Sequence, residues 1–106
     1  MFKLHLRYVY TFYSFGELLG CETLDESVEV EAGKRFTLYQ QEDSSFLLSA
    51  VSRDAKGNYI VLTYPNKEKV VVYEGESAAF VYDEYYDSMG DDNHNVYEGF
   101  VTLEAV

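Results

Sequence analysis

The chain has 106 residues, a size that allows one domain with a single core. Acidic residues outnumber basic ones by 19 to 8, which gives a formal net charge of −11, and the aromatic residues are eleven Tyr and seven Phe. Because phosphate contacts need Lys and Arg, this charge argues against direct binding to nucleic acid and to anionic membrane surfaces. It favours a cationic partner, such as the basic surface of another protein.

The cysteine content and the first residues indicate a reducing compartment. The single cysteine, Cys21, excludes an internal disulfide and cannot form a cysteine-based zinc site by itself. Lys3, His5 and Arg7 interrupt the first apolar run, unlike the hydrophobic segment of a signal peptide. No stretch approaches the ~20 apolar residues of a membrane helix. These features predict a cytoplasmic protein.

Strand periodicity dominates from the first residues onward. In residues 2–12 every even position is Phe, Leu or Tyr, whereas the odd positions begin with charged side chains. This alternation is typical of a strand with one buried face. Residues 14–27 interrupt it with Gly16, Gly20 and several acids, and we interpret them as a loop with at most one helical turn.

Short strands separated by turns are predicted along the rest of the chain. They cover residues 28–31, 35–40, 46–53, 59–64, 69–73, 78–82 and 96–105. Residues 46–53 are apolar on both faces and are predicted as a central strand, and Gly33, Gly57 and Pro65 mark turns. Seven or eight short strands without an amphipathic helix predict a single all-β domain over residues 1–106, an antiparallel β-sandwich or partly open barrel.

The negative charge is concentrated towards the end of the chain. Lys69 is the last basic residue, and residues 83–95 contain five acids, so we predict a long acidic loop there. Tyrosines at 82, 85, 86 and 97 interleave with these acids, and tyrosine is enriched at protein interfaces. The predicted partner-binding residues are Asp83, Glu84, Tyr85, Tyr86, Asp87, Asp91 and Asp92.

These features favour a small acidic, non-enzymatic binding protein that occupies a basic surface of a partner protein. In its concrete form it inhibits a nucleic-acid-handling protein as a nucleic-acid mimic, like anti-defence and immunity proteins, with carboxylates placed where phosphates dock. Cys21, His5 and His94 belong to no local catalytic motif, so we interpret Cys21 as a small apolar filler and both histidines as surface residues. Neither an enzyme nor a cofactor is predicted.

Two other functions stay open at this point. A β-sandwich ligand module could bind calcium through residues 83–98, where Asn93 and Asn95 add neutral oxygens, although the spacing does not follow an EF-hand. The tyrosines at 82, 85, 86 and 97 could instead stack on the sugar rings of a carbohydrate. Edge strands of an all-β domain could also dock a structural component into a larger assembly. The oligomeric state is left open.

Overall fold

The fold consists of β-strands arranged in two antiparallel sheets. The computed structural model describes residues 1–39, 45–88 and 91–106, and the side chains of residues 84–88 and 91–93 are outside that description. The strands are β1 (Phe2–Ser14), β2 (Glu17–Glu29), β3 (Arg35–Phe36), β4 (Phe46–Leu48), β5 (Ser52–Asp54), β6 (Gly57–Thr63), β7 (Lys69–Tyr73), β8 (Ser77–Ser88) and β9 (Asp91–Ala105). The all-β prediction is therefore confirmed.

The first sheet is built from two long hairpins in the order β2-β1-β9-β8. Strands β1 and β9 pair in the middle, and Leu4 lies opposite Val28 on one side and Leu103 on the other. The alternation predicted for residues 2–12 is confirmed, because Leu4, Leu6 and Tyr8 are fully buried. These side chains form the inner face of the sheet.

The second sheet is centred on β6. Strand β7 pairs with one edge of β6, β4 and β5 pair with its other edge, and β3 extends the sheet beyond β4. The central strand predicted at residues 46–53 is therefore two short strands with a break between them. At this break the Ser49 hydroxyl, in place of a backbone carbonyl, accepts a hydrogen bond from the Val61 N–H at 2.8 Å.

The core lies between the two sheets and is rich in aromatic side chains. Phe46 of the second sheet packs against Phe80 and Tyr82 of the first, with ring centroids 5.5 and 5.3 Å apart. Tyr82 and Tyr97, which the sequence suggested as interface residues, are buried in this core. Because they are buried, these two tyrosines are not available to a partner, and the interface prediction applies only to the other tyrosines.

The loop predicted at residues 14–27 is instead a tight hairpin. Strand β1 continues to Ser14, and β2 begins at Glu17 after a two-residue turn at Phe15 and Gly16. Both turn residues have positive φ, 53° and 75°. This is a feature of the type I′ turn, whose twist matches that of the strands it joins.

The acidic segment at residues 83–95 also differs from the predicted loop. Strand β8 continues to Ser88 and β9 starts at Asp91, with the backbone of Asp87 paired opposite Asp92. The two strands pair mainly with each other as a hairpin, so the segment is extended although its composition resembles a loop. With strands of 12 to 15 residues, the molecule measures 47 × 23 × 20 Å. Among the described residues, no helix is long and apolar enough to span a membrane.

Candidate functional site at the arm of the first sheet

The first sheet extends beyond the second and leaves part of itself uncovered. Residues 17–23 of β2 are all exposed, whereas further along the strand exposed and half-buried residues alternate. Phe12 on β1 is only half-buried, although Leu4 on the same face is fully buried. We term residues 10–23, together with the adjoining strand residues 83–88 and 91–95, the arm.

Charge segregates between the two sheets. The four strands of the first sheet contain twelve of the nineteen acids but only two of the eight Lys and Arg residues, Lys3 and Arg7, both on β1. Six of the eight basic residues fall in residues 34–69, in or beside the strands of the second sheet. The fold therefore turns an acidic composition into an acidic sheet backed by a more basic one.

The tip of the arm exposes three large apolar side chains. The exposed fraction is 71% for Phe15, 60% for Leu18 and 59% for Leu19. Phe15 also has a left-handed backbone, which is rare for a bulky residue without a glycine's freedom. An exposed aromatic in a disfavoured turn conformation is a candidate contact residue.

An aromatic groove lies behind the tip on the inner face of the arm. Its volume is about 240 Å³, and its lining includes Tyr10, Phe12, Tyr39, Leu19 and Glu22. The Tyr10 and Tyr39 rings meet edge to face with centroids 5.5 Å apart. Aromatic faces beside a carboxylate suit a cationic side chain, through both the ring quadrupole and the charge.

The hydroxyl of Tyr8 fixes one wall of this groove. It accepts a hydrogen bond from the Tyr39 N–H at 3.1 Å and also hydrogen-bonds to the Glu26 carboxylate. Burial of the Tyr8 phenol raises its pKa well above the ordinary value, so the phenol stays neutral and can donate to Glu26. Tyr39 is thereby attached to the central strand of the first sheet.

Asp83 is the one predicted partner-binding residue whose side chain the structure describes. It is exposed, and its Oδ1 lies 2.9 Å from Nδ1 of His94, whose ring packs on Tyr13 with centroids 4.6 Å apart. These contacts link β8, β9 and β1 across the arm. The other predicted residues have paired backbones in β8 and β9, but their side chains lie outside the described part: Glu84, Tyr85, Tyr86, Asp87, Asp91 and Asp92.

The sequence interpretation missed the tip residues Phe15, Leu18 and Leu19. The sequence feature that could have revealed this tip is Gly16, which lies between two segments that can pair and is followed, after Glu17, by two leucines. Cys21, interpreted as an apolar filler, is exposed. The interpretation of His5 as a surface residue agrees with its partial exposure beside Asp25, to which its ring is hydrogen-bonded.

Among the side chains that the structure describes, no three His, Cys, Asp or Glu residues are grouped so as to hold a metal ion. Comparisons with protein-family models, with curated proteins and with solved structures found no match for this chain. The geometry and charge of the arm are therefore the basis for its functional interpretation.

Proposed function

We propose that this protein is a non-enzymatic binding protein whose arm occupies a basic surface of a partner protein. The observation that supports the proposal most is the location of the exposed apolar tip at the end of the acidic sheet. Large anchors surrounded by polar residues are the usual composition of an interface centre. The predicted acidic residues at 83–92 belong to the same arm.

The conformation of Phe15 supports a role in contact rather than in folding. A left-handed backbone costs a non-glycine residue about 1–2 kcal/mol, and Asn or Gly would occupy this turn position more favourably. The Phe15 side chain is 71% exposed, so burial in the core does not offset the cost. A contact with a partner would bury the ring and supply the missing stabilisation.

The charge of the first sheet supports a basic partner. Twelve acids on β2, β8 and β9 produce a negative field around the first sheet, which attracts Lys- and Arg-rich surfaces and speeds their encounter. The groove at Tyr10, Tyr39 and Glu22 has the chemistry to receive one arginine side chain of that partner.

In its specific form, the proposed partner is a nucleic-acid-handling protein, which the arm inhibits. Such a protein has a basic surface that binds phosphates at regular intervals, and carboxylates bind the same arginines. Successive residues of a strand are about 3.3 Å apart and point to opposite faces, so acids on one face form an extended row with a spacing of about 6.6 Å. Nucleic acid and the arm would then compete for the same surface.

Affinity capture from an extract of the native host at low salt tests this proposal, with the wild type and Phe15→Asn as baits. Phe100→Thr is the matched control, because Phe100 is 61% exposed but lies away from the tip. We expect the wild type and the control to retain a basic protein that Phe15→Asn retains much less.

A DNA or RNA duplex added to the captured complex tests the specific form. We expect the duplex to displace the partner in proportion to its concentration. Equal retention by the wild type and Phe15→Asn would contradict a role for the tip. Retention that is unaffected by the duplex would contradict nucleic-acid mimicry while leaving partner binding intact.

A further inference from the structure

A second pocket, on the outer face of the second sheet, has the opposite charge character to the arm. Its volume is about 240 Å³, and it is lined by Arg35, Ser45, Leu47, Thr63, Tyr64, Pro65 and Lys67. Of these lining residues, all from the described part of the chain, two are cationic and three have hydroxyl groups, and none is acidic. The proposed function of the arm does not use this pocket.

The strand register explains how the pocket is assembled. Arg35 lies opposite Leu47, and Leu47 lies opposite Thr63, so all three side chains share one face across β3, β4 and β6. Phe46 and Leu48 are buried on the other face, which turns Leu47 outward as a short apolar floor. Arg35 Nη1 donates a hydrogen bond to Ser45 Oγ at 3.4 Å, which holds the guanidinium at the rim.

The loop between β6 and β7 brings Lys67 to the same pocket. The Lys67 N–H donates to the Tyr64 carbonyl at 3.0 Å, and the Tyr64 N–H donates to the Glu68 carbonyl at 2.7 Å. Lys67 has φ of 75°, a left-handed conformation that glycine or asparagine would adopt at lower cost. A lysine therefore occupies a position where local conformational energy favours other residues.

We propose that this pocket binds a phosphate-type oxyanion. The guanidinium of Arg35 offers paired N–H donors, Lys67 supplies a second positive charge, and Ser45 and Thr63 have hydroxyls that can donate. Within the described part of the chain, neither cation has a carboxylate at ion-pair distance. Two cations therefore meet at one pocket of a protein whose net charge is −11.

Titration with inorganic phosphate, followed by amide NMR signals at constant ionic strength, tests the site. We expect saturable shifts around Arg35, Thr63 and Lys67, with a dissociation constant in the millimolar range, as befits a small exposed site (about 1–10 mM). Arg35→Gln should weaken binding about tenfold, since it removes a charge-assisted contact. Arg53→Gln, which makes the same charge change on β5 outside this pocket, should leave the affinity within about twofold.

Lys67→Gly separates the binding role of this residue from its structural role. Because glycine relieves the left-handed strain, the melting temperature should rise while phosphate affinity falls about tenfold. Shifts that grow linearly without saturation would overturn the proposal, and so would an equal loss of affinity in Arg53→Gln. Acetate that binds as tightly as phosphate would overturn the assignment to a phosphate-type anion.

Discussion

Gly99 occupies a position in the first sheet that has no room for a side chain. It lies in β9 opposite Tyr8, and a Cβ built there would be 1.9 Å from the Arg7 carbonyl oxygen and 2.5 Å from the Tyr8 Cα. Both atoms belong to the backbone of β1, so a side chain can be accommodated only by separating the two central strands. The rings of Tyr8 and Phe80, whose centroids are 6.2 Å apart, belong to the residues paired with Gly99 on either side.

We therefore expect Gly99→Ala to destabilise the fold by about 3 kcal/mol or more, a loss in the upper range for a single substitution. Gly20→Ala is the matched control, because nothing lies within 4 Å of its Cβ position and its φ is not positive. It should change the unfolding free energy by less than about 0.5 kcal/mol. Urea denaturation measures both values, and equal effects would contradict the close β1–β9 approach.

Tyr8 makes the stability of the fold depend on pH at the alkaline end. Its pKa in the folded state lies above the ordinary value of 10.0, chiefly because the phenol is buried. Stability from this group is therefore complete below pH 10 and is lost as the pH rises towards the folded-state pKa. The pKa of Tyr64 is raised by burial as well, so part of the loss belongs to that residue.

Tyr8→Phe should lower the unfolding free energy by about 1 kcal/mol near pH 8, because the Tyr39 N–H loses its acceptor. The variant should then lose less stability than the wild type between about pH 8 and pH 11, since it has one fewer raised tyrosine pKa. Urea denaturation at the two pH values provides the comparison. Parallel losses in both proteins would show that Tyr8 ionises as freely in the folded state as in the unfolded chain.

At the scale of elements, the turn at Phe15 and Gly16 determines the register of the β1–β2 hairpin. The turn pairs Ser14 with Glu17, and one bulge between Phe12 and Tyr13 adjusts the register further along. Asparagine is favoured at the first position of a type I′ turn, where Phe15 stands. The fold is therefore less stable with phenylalanine at this position than it would be with asparagine.

Phe15→Asn should raise the unfolding free energy by about 1 kcal/mol, the strain expected for a left-handed bulky residue. Phe15→Ala removes the same ring without making the left-handed backbone favourable, so its stability should stay close to that of the wild type. Thermal denaturation of both variants separates the effect of the turn's backbone conformation on stability from the effect of losing the aromatic ring. If Phe15→Asn proves less stable than Phe15→Ala, the turn does not impose the strain that we assign to it.

The strands that the sequence predicts well are those with one buried face. Strand β7 is found at the predicted residues, and the alternation on β1 matches its burial. Residues 17–23 are exposed on both faces, so no alternation marks them as a strand, and their glycines and acids resemble a loop. The loop prediction for the acidic segment is wrong for a related reason, because its composition resembles a loop whereas residues 83–88 pair with residues 91–96 as a hairpin.

The tip of the arm was equally hard to predict as a site. Phe15, Leu18 and Leu19 resemble core residues in a sequence, and only the position of the second sheet shows that nothing covers them. The pocket at Arg35 and Lys67 likewise depends on the register across three strands and on one loop. The first site thus depends on where the second sheet lies, and the second on pairing across β3, β4 and β6.

For the whole molecule, the fold changes how the charge is distributed. Along the chain, the net negative charge is greatest in residues 70–106, but in space it belongs to the first sheet, to which β2 adds five acids from the first third of the chain. The basic residues of segment 34–69 lie on the opposite layer. An elongated molecule with one acidic layer can orient itself as it approaches a basic surface.

The rate of association with the captured partner, measured against salt concentration, tests the account most directly. We expect the rate constant to fall by about tenfold or more between roughly 50 and 500 mM NaCl, because the steering field is screened. Reversing charge at the arm with Asp91→Lys and Asp92→Lys should lower the low-salt rate and flatten its salt dependence. Association that is indifferent to both salt and charge reversal would contradict the proposal that the acidic arm is the binding surface.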